Sequence, residues 1–189
     1  AAYSFTATKT FTSGEGGMIV CNDEKLDLKF RKFRDYGKKS QWESFYTDLS
    51  SNYRMSNITA SVGLGHISEY KNFLKKREEI ADLYTKELSE KFVKILPDKN
   101  SKSSWYKYTV FLPKNVNKDE FKSKMKNLGV GIPGGVYDLP LHLQPVYEHL
   151  NLKGKLKNSE YVCRQHICLP IYPSLELKDQ KKIINLLNE

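Results

Sequence analysis

The sequence predicts a mixed α/β fold, and three observations carry that reading. Short apolar runs flank a glycine-rich loop near the start, apolar residues then recur at helical spacing, and a period-two alternation spans residues 104 to 112. With 189 residues, 39% of them hydrophobic, the chain is long enough to bury a core and is globular in composition.

In order, Ala1 to Phe5 reads as a strand that breaks into the glycine-rich segment, and Met18 to Cys21 as the short strand that leaves it. Asn22 and Asp23 supply a turn or helix cap. From Asp23 to about Tyr36, Leu26, Phe30 and Phe33 form an apolar helical stripe, and Gly37 stands where a helix C-terminal glycine belongs. Residues 38 to 52 read as an irregular polar loop, one that connects elements or reaches a partner. Two helices are expected next, Ser56 to about Tyr70 and Lys71 to about Phe92. The first carries a surface of small residues, Ala60, Ser61, Gly63 and Gly65, against which another backbone can pack; the second has Ile80, Tyr84 and Leu88 as its buried stripe.

Beyond residue 93 the texture is α+β. Tyr106, Tyr108, Val110 and Leu112 share one face of a half-buried strand. Asn117 and Glu120 resemble a capping box ahead of a helix with Phe121, Met125 and Leu128, and Gly129 stops it. A β segment is expected over Val130 to Tyr137, then the proline-bounded LPLHLQPVY, and finally two helices around the strand-like ICLP at 167 to 170.

A net charge of +9 favours anionic partners without choosing among them. The segment at 25 to 39 mixes seven basic residues with aromatics. Phe30 and Phe33 lie on the helical stripe with Leu26, so a buried aromatic face and a solvated basic face explain it without nucleic acid. Cys21, Cys163 and Cys168 are odd in number and lack CxxC spacing, which suggests neither a disulfide framework nor a zinc site but reduced thiols in a cytoplasmic protein. No apolar run approaches the roughly 18 residues that span a bilayer, and a soluble chain is expected. Without an initial methionine, and with a strand running at once into the loop, the sequence reads as the later portion of something longer.

The loop carries the most chemistry. SFTATKTFTSGEGG, residues 4 to 17, surrounds one lysine with small hydroxyls and glycines. A free lysine has a pKa near 10.4 and is a poor nucleophile unless its surroundings favour the neutral or imine form. Hydroxyls and uncovered backbone N–H groups suit a phosphate. An amine beside them suits an aldehyde on the same ligand, and pyridoxal 5'-phosphate carries both groups.

Taken with its extension to SFTATKTFTSGEGGMIV, this loop resembles the Schiff-base lysine segment of the DegT/DnrJ/StrS family of nucleotide-sugar aminotransferases. NYRMSNITASVGLGHI is similar to that family's next signature, and GVYDLPLHLQPVY and LPIYPSL follow in the same order. The resemblance implies the PLP-dependent transferase fold type I, with residues 1–70 closing the large cofactor domain, 71–92 a connecting helix, and 93–189 a small α+β domain. It implies Lys9 as the residue that holds the cofactor and moves the proton, Ser4 as a ligand of the cofactor phosphate, and a homodimer in which Asn52 reaches the neighbour's cofactor phosphate. Arg54, Tyr137 and His142 are the candidate substrate contacts. A keto-sugar linked to a nucleotide would be the acceptor and an amino acid, usually glutamate in this family, the donor.

Two departures from the family pattern stand out. The acidic partner of the pyridine nitrogen and the side chain stacked on the ring arise upstream of the lysine in this family, and eight residues precede it here, so the chain reads as an incomplete enzyme. Many relatives carry a histidine-tyrosine-proline run where this chain has Val136, Tyr137 and Asp138, which removes a histidine contact at 136. A binding or regulatory member of the same fold, without turnover, is the competing reading. Among the bland alternatives, His142 between two leucines can be a hydrogen-bonded structural histidine, Arg54 an ordinary ion pair, Glu15 a turn residue, and His66, His149 and His166 structural.

Overall fold

A computed structural model describes every residue except 41, 133 and 153. The chain divides into two units, Ala1–Lys71 and Asn72–Glu189.

In the first unit, β1 (Ala2–Ser4) pairs antiparallel with β2 (Gly17–Ile19), Tyr3 opposite Met18. Helix α1 (Glu24–Arg34) starts where expected, because the Asp23 carboxylate accepts the N–H groups of Lys25 and Leu26 at 2.8 and 3.1 Å. It ends at Gly37, which takes the left-handed conformation (φ +73°) and donates its N–H to the Lys32 carbonyl. The loop that follows is closed by bridges between Lys38 and Tyr46 and between Asp35 and Asn52.

The aromatic stripe of α1 departs from expectation. No residue of α1 is buried, and Leu26, Phe30 and Phe33 are all exposed. Their spacing is helical, but within residues 1–71 no layer covers them. Phe33 instead stacks on Tyr53, ring centroids 5.5 Å apart.

One helix replaces the two expected. Helix α2 runs unbroken over Asn57–Glu87, and the division between the units falls inside it. Neither glycine nor proline lies near Tyr70 and Lys71, so nothing in the backbone ends the helix there.

The second unit is built on a three-stranded antiparallel sheet ordered β3 (Val93–Lys94), β4 (Tyr108–Phe111), β5 (His166–Leu169). Tyr108 pairs with Leu169 and Val110 with Ile167; of the face read over 104 to 112, Tyr108, Val110 and Leu112 are buried, while Tyr106 precedes the strand and is half-buried. Ile80, Tyr84 and Leu88 of α2 pack in this core with Ile183, Ile184 and Leu187 of α5 (Leu177–Asn188). Met125 joins them from α3 (Lys118–Asn127), whose first turn is capped by Asn117 and whose end is closed at Gly129. Two buried polar side chains of this core are matched: the Tyr84 hydroxyl donates to the Pro170 carbonyl at 2.9 Å, and Gln180 donates to the Ile80 carbonyl at 2.7 Å. Burial pushes the Tyr84 phenol well above its ordinary pKa, which keeps it a neutral donor.

The segment 130 to 137 is not a strand among the described residues, contrary to expectation. Val130 and Ile132 are buried, which gave the alternation, but Gly131, Gly134 and Gly135 interrupt the run and disfavour a ladder. Single turns, Leu141–Leu143 and Pro145–Leu150, follow, and α4 (Lys157–Gln165) leads into β5.

Because Ile184 is 2% exposed, Ile184→Ala should lower the stability of the second unit by about 2–5 kcal/mol. Leu49→Ala, at a side chain 98% exposed, should change it by less than about 0.5 kcal/mol. Urea unfolding followed by circular dichroism separates the two.

Candidate functional site

Lys9 lies on a loop tied at its base by the backbone. The Phe5 N–H donates to the Gly16 carbonyl at 2.8 Å and the Ser13 N–H to the Phe5 carbonyl at 3.0 Å, extending the β1–β2 pairing into the loop. The Lys9 N–H donates to the Thr6 carbonyl at 3.0 Å, which turns the chain at the lysine. Gly16 is needed here. Its φ of +135° disfavours a side chain, and a Cβ would meet the Met55 methyl at 2.8 Å.

Most of the loop's hydroxyls hold the loop itself. Thr12 donates to the Phe5 carbonyl and accepts from the Gly14 N–H, both at 2.9 Å, while Ser13 donates to the Glu15 carbonyl at 2.8 Å. Thr6 donates to the Glu15 carboxylate at 3.1 Å, so Glu15 is a turn residue. Phe11 anchors the loop on the start of α2, edge-on to Phe5, His66 and Tyr70 at 4.8, 5.7 and 5.9 Å. Gly63 lets it approach: a Cβ there would stand 3.3 Å from the Ser13 Cβ. Of the small-residue surface read from the sequence, Gly63 is the member that beds the lysine loop, whereas a Cβ at Gly65 would meet nothing within 4 Å.

Ser4, at the end of β1, is exposed, and Lys9 is half-buried. The loop thus carries the Lys9 amine at its turn and the Ser4 hydroxyl at its threshold, while Thr6, Thr12 and Ser13 hydrogen-bond within the loop. That pairing fits a ligand with an aldehyde and a phosphate, and Lys9 and Ser4 would hold it.

The second cluster in this unit joins Asn52 and Arg54. The Asn52 side-chain oxygen accepts from the Arg54 N–H at 3.1 Å and from its Nε at 3.0 Å. The guanidinium also lies 3.5 Å from Asp35 and 5.4 Å from the centroid of the Tyr36 ring. Arg54 thus makes an ion pair inside its own unit. Both residues are exposed, and so are Trp42, Phe45 and Leu49 on the preceding loop.

In the second unit, Tyr137 is 72% exposed on the turn after Gly135. His142 is different, its side chain 7% exposed and its Nε2 3.2 Å from the Glu160 carboxylate. Glu160 also accepts the Gly154 N–H at 2.8 Å. These bonds, the His142 one first and against a smaller effect of desolvation, hold the Glu160 carboxyl below its usual range. His142 therefore occupies the hydrogen-bonded structural role weighed from sequence. Cys21, Cys163 and Cys168 are unbonded thiols.

The loop, its bed and the sequence order of these elements match one family throughout. The profile of the DegT/DnrJ/EryC1/StrS aminotransferase family matches residues 1–188. The chain belongs to this family. Among its relatives, the UDP-4-amino-4,6-dideoxy-N-acetyl-beta-L-altrosamine transaminase of Campylobacter jejuni is 30% identical, over 95% of this chain and 49% of its own. The GDP-perosamine synthase of Escherichia coli O157:H7 is 28% identical over 99% of this chain and 50% of its own. A protein of Geobacillus stearothermophilus named pleiotropic regulatory protein is 30% identical over the whole chain and 51% of its own. Helicobacter pylori PseC, an aminotransferase of pseudoaminic acid biosynthesis, superposes with a TM-score of 0.87 at 27% identity, over 98% of this chain and 51% of its own. The fold is thus that of the type I sugar aminotransferases, and the chain spans about half the length of the relatives it matches. No described helix is long and apolar enough to cross a membrane.

The signals that sequence reasoning missed are Phe11 as anchor and the Thr6–Glu15 bond as brace. An aromatic inside a glycine-rich loop was the available clue to the first.

Glu160 yields a pH prediction. A carboxyl held below its ordinary value stabilises the fold above that value, near 4.3, and the contribution is lost as the pH falls through the lowered value. Thermal melts between pH 6 and 3 should fall more steeply for the native protein than for Glu160→Gln, the two curves converging at the acid end.

Proposed function

We propose that this chain is the C-terminal portion of a pyridoxal 5'-phosphate-dependent aminotransferase that acts on a nucleotide-linked keto-sugar with glutamate as donor. The observation that carries the reading is the lysine loop: a single amine at the turn of a loop pinned at its base and bedded on Gly63, with an exposed serine at its threshold. Family membership and the nucleotide-sugar names of the relatives support the substrate class. The three thiols fit a cytoplasmic protein.

When bound, the cofactor supplies an aldehyde that accepts the amine and a ring that spreads the negative charge left on the adjoining carbon. The chain's own groups do the rest. The Ser4 hydroxyl donates to the phosphate and orients it. The Lys9 amine takes the proton from the donor's α-carbon and later returns one to the carbon that bore the sugar ketone, acting in turn as base and acid. Arg54 offers a cation to a carboxylate or phosphate of the substrates, and Tyr137 a phenol to the sugar. In a homodimer, Asn52 would reach the neighbouring site. The exposed Trp42 (90%) and Leu49 (98%) on the loop leading to it support a partner surface there.

The relative named as a regulatory protein favours a second reading, in which the same fold binds cofactor or sugar without turnover. The two separate in one experiment on the full-length chain loaded with pyridoxal 5'-phosphate. Borohydride should fix the cofactor on the peptide containing Lys9, and glutamate should bleach the cofactor's visible band. Fixation without bleaching supports the regulatory reading, and no adduct at Lys9 overturns the aminotransferase reading. Lys9→Ala should lower transamination by about 10²–10⁴-fold with dimerisation intact, as read by steady-state assay and sedimentation.

A further inference from the structure

The turn at residues 134 to 138 is where this chain departs from its family pattern, with Asp138 in place of a proline. The structure shows what that carboxylate does. Asp138 Oδ1 lies 2.5 Å from the Lys118 ammonium and accepts the Gly135 N–H at 3.0 Å, and Oδ2 lies 3.6 Å from Lys122. Lys118 is no loose surface cation. Its side chain is 9% exposed, and it donates to the Cys163 carbonyl at 2.8 Å, so it is fixed from the α4 side as well.

The other side of the turn meets a buried wall. The imidazole of His166 is held by its Nδ1, 2.6 Å from the Val162 carbonyl, and is 3% exposed. Nε2 has no hydrogen-bond partner among the described residues and faces Gly135, where any Cβ would collide with the ring. Because the ring is buried and bonded, it cannot swing away to make room. Desolvation raises the Asp138 pKa, but the bonds from Lys118 and Gly135 and the charge of Lys122 outweigh it and hold the carboxyl below its ordinary range. The carboxylate is therefore charged near neutrality.

We propose that Asp138, gripped by Lys118 and Lys122 and backed by the contact of His166 with Gly135, is a positioning residue that fixes the 134–138 turn and so presents Tyr137 to the acceptor sugar. A proline stiffens such a turn covalently, by restricting φ. Here the same end is met by an ionic tether, which fixes the turn from the helix it faces. The inference rests on Tyr137 being a substrate residue, as proposed above. Its consequence is specific: the tether serves the sugar half of the reaction and is indifferent to the amino-acid half.

The test uses the full-length, cofactor-loaded protein and reads the two halves separately, by bleaching of the visible band in single turnovers. Glutamate probes one half, and UDP-4-amino-4,6-dideoxy-N-acetyl-beta-L-altrosamine, the amino sugar in the relative's name, probes the other. Asp138→Asn and Gly135→Ala reach the turn by unrelated routes, one cutting the tether and one pushing against His166. Both should raise the sugar concentration for half-maximal rate by roughly three- to tenfold, with the glutamate half-reaction unchanged within about twofold. Lys118→Arg should restore most of what Lys118→Met loses. Amide exchange over residues 134–138 should quicken in the damaged variants.

Equal losses in both halves overturn the proposal, because the residues would then be merely structural. Faster exchange with unchanged sugar kinetics overturns it too, as does a native protein that answers to glutamate and not to the amino sugar. A native protein without a cofactor band refutes the underlying functional reading instead, and the positioning role falls with it.

Discussion

The constraint on which the structure depends is the placement of its apolar core. Among the described residues, every fully buried apolar side chain lies between Ile80 and Leu187. Tyr84 sits at the centre, its ring 5.1 Å from that of Tyr108 and its hydroxyl on the Pro170 carbonyl. A fully buried side chain of this size contributes about 1.5–3 kcal/mol, so some eighteen of them suffice to order a sheet of three short strands. They also explain why β5, at the edge of that sheet, is buried throughout: helices, and not a further strand, cover it. The Arg77 guanidinium donates to the Trp105 and Ile171 carbonyls at 3.0 Å, tying the loop before β4 to the one after β5.

The first unit is held by different means. Its buried residues are Ser13, Gly37 and Gly63, none of which brings a large apolar side chain. Order there comes from closures of the backbone on itself: the Asp23 cap, the glycine stop at residue 37, the two bridges of the loop after α1, and the bonds across the base of the lysine loop. Such closures fix local geometry well but supply little global stability, since each hydrogen bond is worth about 1 kcal/mol net. Tyr3, Met18, Ile19, Leu28 and Phe33 are left on the surface.

What was legible in the sequence follows the same division. Features set by a few neighbouring residues were readable: Asp23 and Asn117 as caps, Gly37 and Gly129 as stops, the 80–84–88 stripe, the part of the 104 to 112 alternation that forms β4, and Gly63 as a point of close backbone approach. Features set by what lies on the other side were not. The stripe of α1 has the right spacing, but burial needs a partner layer that spacing does not supply. Val130 and Ile132 are buried like alternate residues of a strand, yet Gly131, Gly134 and Gly135 beside them disfavour a ladder, and the segment pairs with no strand among the described residues. The helix break near residue 70 was a reading of composition without a breaker, and the backbone ran on.

His142 and Asp138 show how the same limit applies to a site. Both are polar residues in a segment that resembles a family signature, and resemblance alone treats them alike as contacts. Geometry separates them by where each spends its hydrogen bonds. The His142 Nε2 is taken by Glu160 behind a side chain nearly closed to solvent, which makes it part of the scaffold. Asp138 is half exposed, but its oxygens are shared among two lysines of α3 and the backbone of its own turn. Because the carboxylate is half exposed and water already solvates it, these pairs add little to global stability. Their effect is to choose one conformation of a short, glycine-rich turn from several of similar energy. A residue that contributes little to folding and much to the choice of a loop's conformation has its consequence where that loop is used.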